Sequence, residues 1–249
     1  MPESSPWIHS ESKPDFVRRG FDSIAARYDR LNDLMTLGLH RRWKREVIRR
    51  LSLRSGMRIL DICSGTGDLA IRAAQSIQPN GHVAALDFTP NMMAAGRERT
   101  QLFESAQIFS WIGGDATQLP FADESFDGAS VGFGLRNVAS IEAVLQEVYR
   151  VLRPGAWFVN LDTAGSEWGV IEPFYKMYMR VMVPLMGRLF AGSRDMYAYL
   201  SSSAAAFETP QELQGLLQKA GFAQTGYAYR PRIVGGAALA WARKPDPEA

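Results

Sequence analysis

The chain has few of the residues that cross-link a protein or hold a metal ion. Cys63 is its one cysteine, and it has three histidines among 249 residues. A single cysteine excludes an intrachain disulfide and fits a reducing compartment. Three dispersed histidines and one cysteine also lack the spacing of a metal site. We therefore expect no disulfide and no bound metal.

Long apolar runs and an excess of one charge are missing as well. No stretch of about 18 residues is both apolar and uncharged, so we expect no membrane-spanning helix. The 28 Lys and Arg residues against 26 Asp and Glu residues give a formal net charge of +2. Such a balance creates no field that demands a nucleic-acid partner. The sequence favours a cytoplasmic protein that binds no nucleic acid.

What the chain does have is a regular alternation of apolar strands and amphipathic helices. The first five predicted strands are Arg58–Cys63, Val83–Phe88, Gln107–Trp111, Gly128–Phe133 and Trp157–Leu161. The predicted helices between them are Asp68–Ile77, Pro90–Phe103 and Ile141–Leu152. Strands joined by helical crossovers predict an α/β fold, a parallel sheet with helices on both faces. After a helix at Pro210–Ala220, the strands Phe222–Tyr229 and Ala237–Ala242 have no helix between them, which predicts a hairpin with one antiparallel strand.

Two further segments stand outside this alternation. Phe16–Leu37 and His40–Leu53 predict N-terminal helices, and the second has a polar face rich in Arg and Lys. That face is either solvated or in contact with anionic lipid. Gly165–Phe207 is long and apolar, and we interpret it either as a cap over an apolar acceptor or as a flap that completes the core. It contains five of the ten methionines: Met177, Met179, Met182, Met186 and Met196.

A glycine turn after the first predicted strand indicates a nucleoside site. Gly65 and Gly67 let the backbone turn tightly beside a ligand, and the next helix presents free N–H groups. Asp87, at the end of the second strand, is placed to accept hydrogen bonds from ribose hydroxyls. The spacing alone fits a dinucleotide as well as S-adenosylmethionine.

Three carboxylates favour S-adenosylmethionine over a dinucleotide. Asp61, inside the end of the first strand, can order the loop and meet the amino group of a methionine moiety. Asp68, at the helix start, would face a dinucleotide phosphate unfavourably. Asp115, after the third strand, can accept a hydrogen bond from an adenine amino group.

These residues belong to motifs that resemble known enzymes. The motifs Asp61-x-x-x-Gly65-x-Gly67, Asp87, Gly114-Asp115-Ala116 and Arg150–Gly155 resemble class I S-adenosylmethionine-dependent methyltransferases. Tyr28–Lys44 and Gly132–Val138 resemble the ubiquinone/menaquinone biosynthesis C-methyltransferase family. The resemblance implies a Rossmann-like, doubly wound seven-stranded sheet with an antiparallel last strand. It also implies C-methylation of a prenylated quinol, either demethylmenaquinol or a polyprenyl-methoxy-benzoquinol.

The same resemblance implies a set of site residues. The residues expected to hold S-adenosylmethionine are Asp61, Gly65, Thr66, Gly67, Asp87, Phe88, Asp115, Ala116 and Gly132. The residues expected to act on the acceptor are Arg136, Asn137 and Tyr28, with His40, Tyr197 and Tyr199 as further substrate contacts. Arg136 would favour a phenolate electrostatically, and Asn137 would orient the ring oxygen.

The sequence departs from that family near the acceptor. The run after the fifth strand is Asp162-Thr163-Ala164, and Ser201-Ser202-Ser203 follows Tyr199-Leu200. Ala205 and Ala240 stand where an Arg and a His are usual. These departures leave open a different small apolar acceptor. A cofactor-binding protein without catalysis and a dehydrogenase are the remaining hypotheses.

We divide the chain into five parts of one domain. They are a disordered tail (1–15), an N-terminal helical cap (16–53), a cofactor-binding core (54–164), a helical acceptor cap (165–207) and a C-terminal helix with a β-hairpin (208–245). A homodimer and a peripheral contact with the inner face of the membrane are further hypotheses.

Overall fold

Helices and strands alternate along the chain as the sequence predicts. The structure is a computed structural model that describes residues 12–101, 106–163, 194–230 and 236–246. Its strands are β1 (Arg58–Ile62), β2 (His82–Asp87), β3 (Phe109–Gly113), β4 (Phe126–Gly132), β5 (Leu152–Thr163), β6 (Ala223–Tyr229) and β7 (Ala237–Arg243). Its helices are α1 (Lys13–Ile24), α2 (Tyr28–Thr36), α3 (Leu39–Arg50), α4 (Asp68–Ile77), α5 (Pro90–Gln101), α6 (Ile141–Val151), α7 (Arg194–Ala206) and α8 (Pro210–Lys219).

The seven strands form one sheet in the order β3-β2-β1-β4-β5-β7-β6. The first five strands run parallel to one another, and β7 is antiparallel to both β5 and β6. The Rossmann-like sheet with an antiparallel last strand is therefore confirmed. The strand order reverses at β1, which lies between β2 and β4. Open α/β sheets bind ligands outside the carboxyl ends of the strands at such a reversal.

Alternate side chains of each strand pack against helices on opposite faces of the sheet. Leu60 and Ile62 of β1 belong to a buried cluster shared with α6 and α8. Ile59 belongs to a cluster with the alanines of α4 on the opposite face, where Val159 of β5 also packs against α3. Each such fully buried side chain contributes about 1.5–3 kcal/mol relative to exposure. The sheet is thus a rigid base for the loops at its carboxyl edge.

A separate cluster joins the N-terminal helices to the helix that precedes α8. Val17, Phe21 and Leu31 from α1 and α2 are buried against Leu200 of α7 and Met92 of α5. Because Met92 follows the carboxyl end of β2 closely, this cluster covers the ligand-binding edge of the sheet. The N-terminal helices are therefore part of the site's surroundings.

The helix α1 begins earlier than the sequence predicts. Residues 13–15, which we assigned to a disordered tail, form its first turn. Ser12 accepts a hydrogen bond from the Asp15 N–H, and Pro14 lies in the first turn, where its missing N–H is not needed. Ser12 is thus an N-cap that we overlooked.

Strand β5 also begins earlier, at Leu152 rather than Trp157. We interpreted Pro154-Gly155 as a break, but the strand passes through it with a register shift against β4. The Gly155 N–H donates to the carbonyl of Lys244, which follows β7, and this keeps the irregular stretch of β5 paired. Most of the predicted acceptor cap, with the first four of its methionines, lies outside the described residues, and so does the side chain of Met196.

None of the helices that the structure describes has the length and apolar character needed to cross a bilayer. The basic side of α3 is exposed at Arg41, Arg42, Arg45 and Arg49. Leu37, in the turn before α3, is a large apolar side chain that is 70% exposed.

The ring of Trp111 fills the space between two backbone segments. A Cβ atom added at Gly67 or at Gly96 would overlap that ring. Gly215 in α8 is also helical, but nothing lies within 4 Å of a Cβ atom there. The two helical glycines therefore differ in packing and not in helix propensity.

We predict opposite stability changes for Gly96→Ala and Gly215→Ala. Alanine is favoured over glycine in a helix by about 0.5–1 kcal/mol, so Gly215→Ala should raise the free energy of unfolding by about that amount. Gly96→Ala should lower it by about 1–3 kcal/mol because Trp111 must move. Urea unfolding of both variants measures the difference. A stabilised Gly96→Ala variant would contradict the packing of Trp111 against α5.

Candidate active site

The glycine loop after β1 is held by the carboxylate that ends β2. The Gly65 N–H donates to Asp87 Oδ2 at 2.7 Å, and the Thr89 N–H donates to Asp87 Oδ1 at 2.8 Å. Asp87 is 6% exposed, and its burial raises the pKa of the carboxyl group. Gly67 has φ +78°, a left-handed conformation that glycine adopts without strain. The loop shape therefore depends on both its glycines and Asp87.

A cavity opens at this edge and collects most of the predicted cofactor residues. It is lined by Tyr28, Gly65, Asp87, Phe88, Asp115, Ala116, Gly132 and Asn137, among others. The Thr117 N–H donates to Asp115 Oδ1 at 2.8 Å, which fixes the orientation of that carboxylate. Tyr28 packs edge to face on Phe21, with ring centroids 5.9 Å apart. The loops after β1, β2, β3 and β4 thus converge on one cavity.

A second, smaller cavity continues from the first. The two cavities share Tyr28, Cys63, Gly65 and Gly132. The second is also lined by Lys44, Asp61, Ser64, Thr66, Asp68 and Leu69. Of the nine predicted cofactor residues, Gly67 alone lines neither described cavity, and it acts through the turn instead.

Asp61 is the most deeply buried carboxylate of the second cavity, with 1% exposure. It accepts hydrogen bonds from the Ala70 N–H at 3.0 Å and from Ser130 Oγ at 2.8 Å. Burial raises its pKa to about 7, although both hydrogen bonds and the charge of Lys44 lower it. A ligand cation beside Asp61 would stabilise the ionised form, which this environment disfavours.

Asp68 and Lys44 form a buried ion pair next to Asp61. Lys44 Nζ donates to Asp68 Oδ2 at 2.8 Å, and Arg72 and Arg99 approach Asp68 Oδ1. Burial acts to raise the pKa of Asp68, but Lys44 and the two guanidinium groups hold it at about 2. Lys44 belongs to the N-terminal motif Tyr28–Lys44, but we assigned it no role from the sequence. The pattern that could have indicated a role is its position in the apolar stripe of α3, beside Trp43 and one turn before Val47.

Thr66 holds α2 to the glycine loop. Its Oγ1 donates to Asp29 Oδ1 at 2.9 Å, and Arg99 donates to both Asp29 Oδ2 and the Thr66 carbonyl. We expected Thr66 to hold the cofactor, and it lies in the lining of the second cavity. Its side chain is nevertheless occupied by the contact with the N-terminal helix.

The 3₁₀ turn Leu135–Asn137 separates the cofactor cavity from a neighbouring cleft. Asn137 lines the cavity, whereas Arg136 lines the cleft, which has a volume of about 510 Å³. Arg136 Nη1 donates to Asp162 Oδ1 at 2.5 Å and to the Phe133 carbonyl at 2.8 Å. The side chains of Arg136 and Asp162 are 7% and 1% exposed, respectively. Burial acts to lower the pKa of Arg136, but Asp162 raises it above its ordinary value.

Tyr199 joins the cleft to the cavity. Its hydroxyl donates to Asn137 Oδ1 at 3.3 Å, and Phe16 packs edge to face on its ring. Burial raises the pKa of Tyr199 to about 12, so the hydroxyl keeps its proton. Lys13 of α1 donates to the carbonyls of Arg136 and Val138 from the other side. The turn Leu135–Asn137, which forms the wall between the cavity and the cleft, is therefore held by α1 on one side and by α7 on the other.

Not every predicted acceptor residue lies at this wall. His40 is buried in α3 with Nε2 2.8 Å from Asp33 Oδ1, and it lines none of the described cavities. Burial and the nearby Lys44 lower the pKa of His40. The side chain of Tyr197 lies outside the part of the chain that the structure describes. Tyr28 lines both cofactor cavities but not the cleft.

The charges of the site fit S-adenosylmethionine better than a dinucleotide. Asp61, Asp68 and Asp87 place carboxylates around the start of α4, where a pyrophosphate would otherwise bind. The same carboxylates suit ribose hydroxyls and an ammonium group. The buried carboxylate of Asp61, which lines the second cavity, favours a ligand that carries a cation over one that carries a pyrophosphate.

We predict that Asp61→Asn stabilises the ligand-free protein at alkaline pH. The folded-state pKa of about 7 exceeds the unfolded value of 3.8, so the native form loses stability as pH rises between these values. A shift of about three units corresponds to roughly 4 kcal/mol as an upper bound. Asparagine can still accept from the Ala70 N–H and donate to Ser130.

Thermal unfolding at pH 5 and pH 8 measures this effect. The Tm of Asp61→Asn should exceed that of the original protein at pH 8, and the gap should shrink at pH 5. An equal loss of Tm at both pH values would contradict the prediction that burial makes ionisation of Asp61 unfavourable.

The structural comparisons agree with this fold. A S-adenosylmethionine-dependent methyltransferase from Aquifex aeolicus superposes with TM-score 0.56 over 80% of this chain and 88% of that one, at 17% identity. A Haemonchus contortus phosphoethanolamine N-methyltransferase 2 in complex with S-adenosylhomocysteine superposes with TM-score 0.70 over 95% of this chain and 61% of that one, also at 17% identity. At such identities the likeness shows the fold alone.

The sequence comparisons identify the family. A demethylmenaquinone methyltransferase from Staphylococcus aureus strain JH9 is 37% identical over 213 residues, which is 86% of this chain and 87% of that protein. The sequence pattern of the ubiE/COQ5 methyltransferases matches residues 9–244. With the sheet, the glycine loop and the carboxylates in place, the chain belongs to the ubiE/COQ5 methyltransferase family.

Proposed function

We propose that this S-adenosylmethionine-dependent methyltransferase methylates a ring carbon of a prenylated quinol, with demethylmenaquinol as the preferred acceptor. The observation that carries the choice of acceptor is the 37% identity to a protein named for demethylmenaquinone. The identity extends over 86% of the chain, so it includes the acceptor side as well as the cofactor core.

We assign the S-adenosylmethionine site to the two connected cavities. Asp87 and Asp115 would accept hydrogen bonds from the ribose and the adenine amino group, and Asp61 would receive the ammonium group. When bound, S-adenosylmethionine supplies an electrophilic methyl group. The protein holds the loops that surround it in one arrangement, through Asp87 on Gly65 and through Thr66 on Asp29. Alignment of the reactants in this way can lower the activation free energy by about 7–11 kcal/mol.

The acceptor end is assigned to the wall and the cleft beside it. A quinol carbon becomes nucleophilic when an adjacent hydroxyl loses its proton, because the phenolate places electron density on the ortho carbon. The buried guanidinium of Arg136 would stabilise that phenolate, and Asp162 holds it in position. Asn137, oriented by the Tyr199 hydroxyl, would fix the ring oxygen. The ring carbon gains the methyl group and releases its hydrogen as a proton.

The cleft supports an apolar acceptor of some length. Phe16, Ile141 and Phe207 line it together with the polar groups at the wall. Its lining comes from the N-terminal helices (16–53), the core (54–164) and α7, which is why we propose both flanking helical parts as caps over the acceptor. A prenyl chain would leave along these apolar side chains.

The first prediction of this function concerns the product. The protein with labelled S-adenosylmethionine should transfer the label to demethylmenaquinol, and less or none to a polyprenyl-methoxy-benzoquinol. Replacing Arg136→Gln together with Asp162→Asn removes both charges without leaving one buried alone. It should lower kcat about 100- to 1,000-fold and move the pH–rate profile to higher pH, because the phenolate must then form unaided.

A second, more exposed pair controls for the loss of an Arg–Asp pair. Arg153→Gln with Asp127→Asn removes a pair with the same 2.5 Å distance that lines none of the described cavities, and should leave kcat within about twofold. Binding of S-adenosylhomocysteine should be unchanged in both double variants. Intact binding with no methylated quinol of either type would overturn the proposal, and faster turnover of a non-quinol acceptor would replace it.

We also propose a peripheral membrane contact through the basic surface of Leu37, Arg42, Arg45 and Arg49. Leu37 supplies an exposed apolar side chain, and the three arginines lie on one exposed side of α3. Each cation near an anionic bilayer contributes about 1 kcal/mol of attraction. A prenylated quinol resides in such a bilayer, so the contact would bring the enzyme to its acceptor.

Sedimentation with vesicles tests this contact. The protein should bind phosphatidylglycerol-containing vesicles and not pure phosphatidylcholine, and the triple variant Arg42→Gln, Arg45→Gln, Arg49→Gln should bind at least about tenfold more weakly. The control triple Arg54→Gln, Arg97→Gln, Lys219→Gln removes equal exposed charge elsewhere and should bind normally. Equal losses in both triples would show that only net charge matters.

A further inference from the structure

We infer that Lys44 binds the carboxylate of the amino-acid end of S-adenosylmethionine. The inference rests on the use of this cofactor and does not depend on the identity of the acceptor. Lys44 and Asp61 line the same small cavity, so the protein presents a cation and a carboxylate to one end of the ligand. The free α-amino acid group of the ligand carries the complementary pair of charges.

The position of Lys44 in its helix is unusual for a lysine. It is 6% exposed and lies in the stripe of α3 that faces the sheet, between Trp43 and Val47. Burying an ammonium group away from water is unfavourable unless it is paired. A helix that only covered the sheet would have an apolar residue at this position.

The ion pair with Asp68 does not account for Lys44 by itself. Asp68 also has Arg72 at 3.2 Å and Arg99 at 3.9 Å from its second oxygen, so one carboxylate faces three cations. An ammonium group has three hydrogens, and within the described residues Lys44 donates one hydrogen bond, to Asp68. Its other hydrogens are available to an anion in the cavity.

Arg72 provides the matched comparison. It pairs with the same carboxylate as Lys44, but it does not line the cavity. If Lys44 acted only as a counter-ion of Asp68, the two cations would be equivalent. If Lys44 touches the ligand, only its removal should affect binding, and only for ligands that carry a carboxylate.

Isothermal titration with three nucleosides tests the inference. S-adenosylhomocysteine has the ammonium and the carboxylate, S-adenosyl-3-thiopropylamine has the ammonium alone, and 5′-methylthioadenosine has neither. Lys44→Met should weaken binding of S-adenosylhomocysteine about 10- to 100-fold, as expected for a hydrogen bond between charged groups. It should change binding of the other two by less than about threefold, and Arg72→Met should change all three by less than about threefold.

Two results would overturn the inference. One is unchanged binding of S-adenosylhomocysteine in the Lys44 variant, and the other is a loss of the same factor for all three nucleosides, which would mean that Lys44 only maintains the cavity. Lys44→Gln keeps an N–H donor for Asp68 and replaces Lys44→Met if that variant does not fold. Because binding is measured without an acceptor, a failed quinol assay leaves this test unaffected.

Discussion

The concentration of carboxylates at one edge of the sheet is the constraint on which the rest of the site depends. Asp61, Asp68 and Asp87 are all buried or nearly so, and they lie at the end of β1, the start of α4 and the end of β2. Buried carboxylates must find donors or cations. Asp87 accepts hydrogen bonds from backbone N–H groups, and this fixes the glycine loop. Asp68 forms ion pairs, and one of its cations, Lys44, comes from an N-terminal helix. The helices before the sheet are therefore held by the same charges that prepare the cofactor site.

The sequence predicted the fold correctly wherever the local residue pattern of a single helix or strand was sufficient to identify it. The apolar run of β1 and the helix α4 were predicted because burial determines their patterns, and the final hairpin was predicted because no helix separates its two strands. The start of β5 was wrong because Pro154-Gly155 is a local signal for a break, whereas Lys244, some ninety residues away, supplies the hydrogen bonds that extend the strand. The start of α1 was wrong for a simpler reason, since the N-cap Ser12 lay in a polar stretch that we treated as a tail.

The site followed from the sequence to the extent that strand ends determine it. Asp61 and Asp87 lie at the ends of strands and Asp115 follows one, so a parallel sheet brings them to one edge. Partners from distant segments could not be predicted in this way. The pairing of Arg136 with Asp162 depends on two neighbouring strands, and the contact of Tyr199 with Asn137 depends on how α7 packs. His40 was placed at the substrate by its motif, but its side chain turns to Asp33. In the same motif Lys44, given no role, reaches the cavity.

The pairing of Arg136 with Asp162 weakens the electric field of the guanidinium but also fixes its position. Because Asp162 at 2.5 Å already neutralises the Arg136 guanidinium, this guanidinium would act on an acceptor oxygen as a dipole rather than as a free charge. Its field at the oxygen would therefore be weaker, and it would not bind anions indiscriminately. In return, Asp162 and the Phe133 carbonyl fix the guanidinium before the acceptor arrives. Little reorganisation would then accompany formation of the proposed phenolate, because fixed dipoles in a site that excludes water stabilise a charge better than mobile charges in water do. A buried pair is thus suited to stabilising an anion that forms only during the reaction.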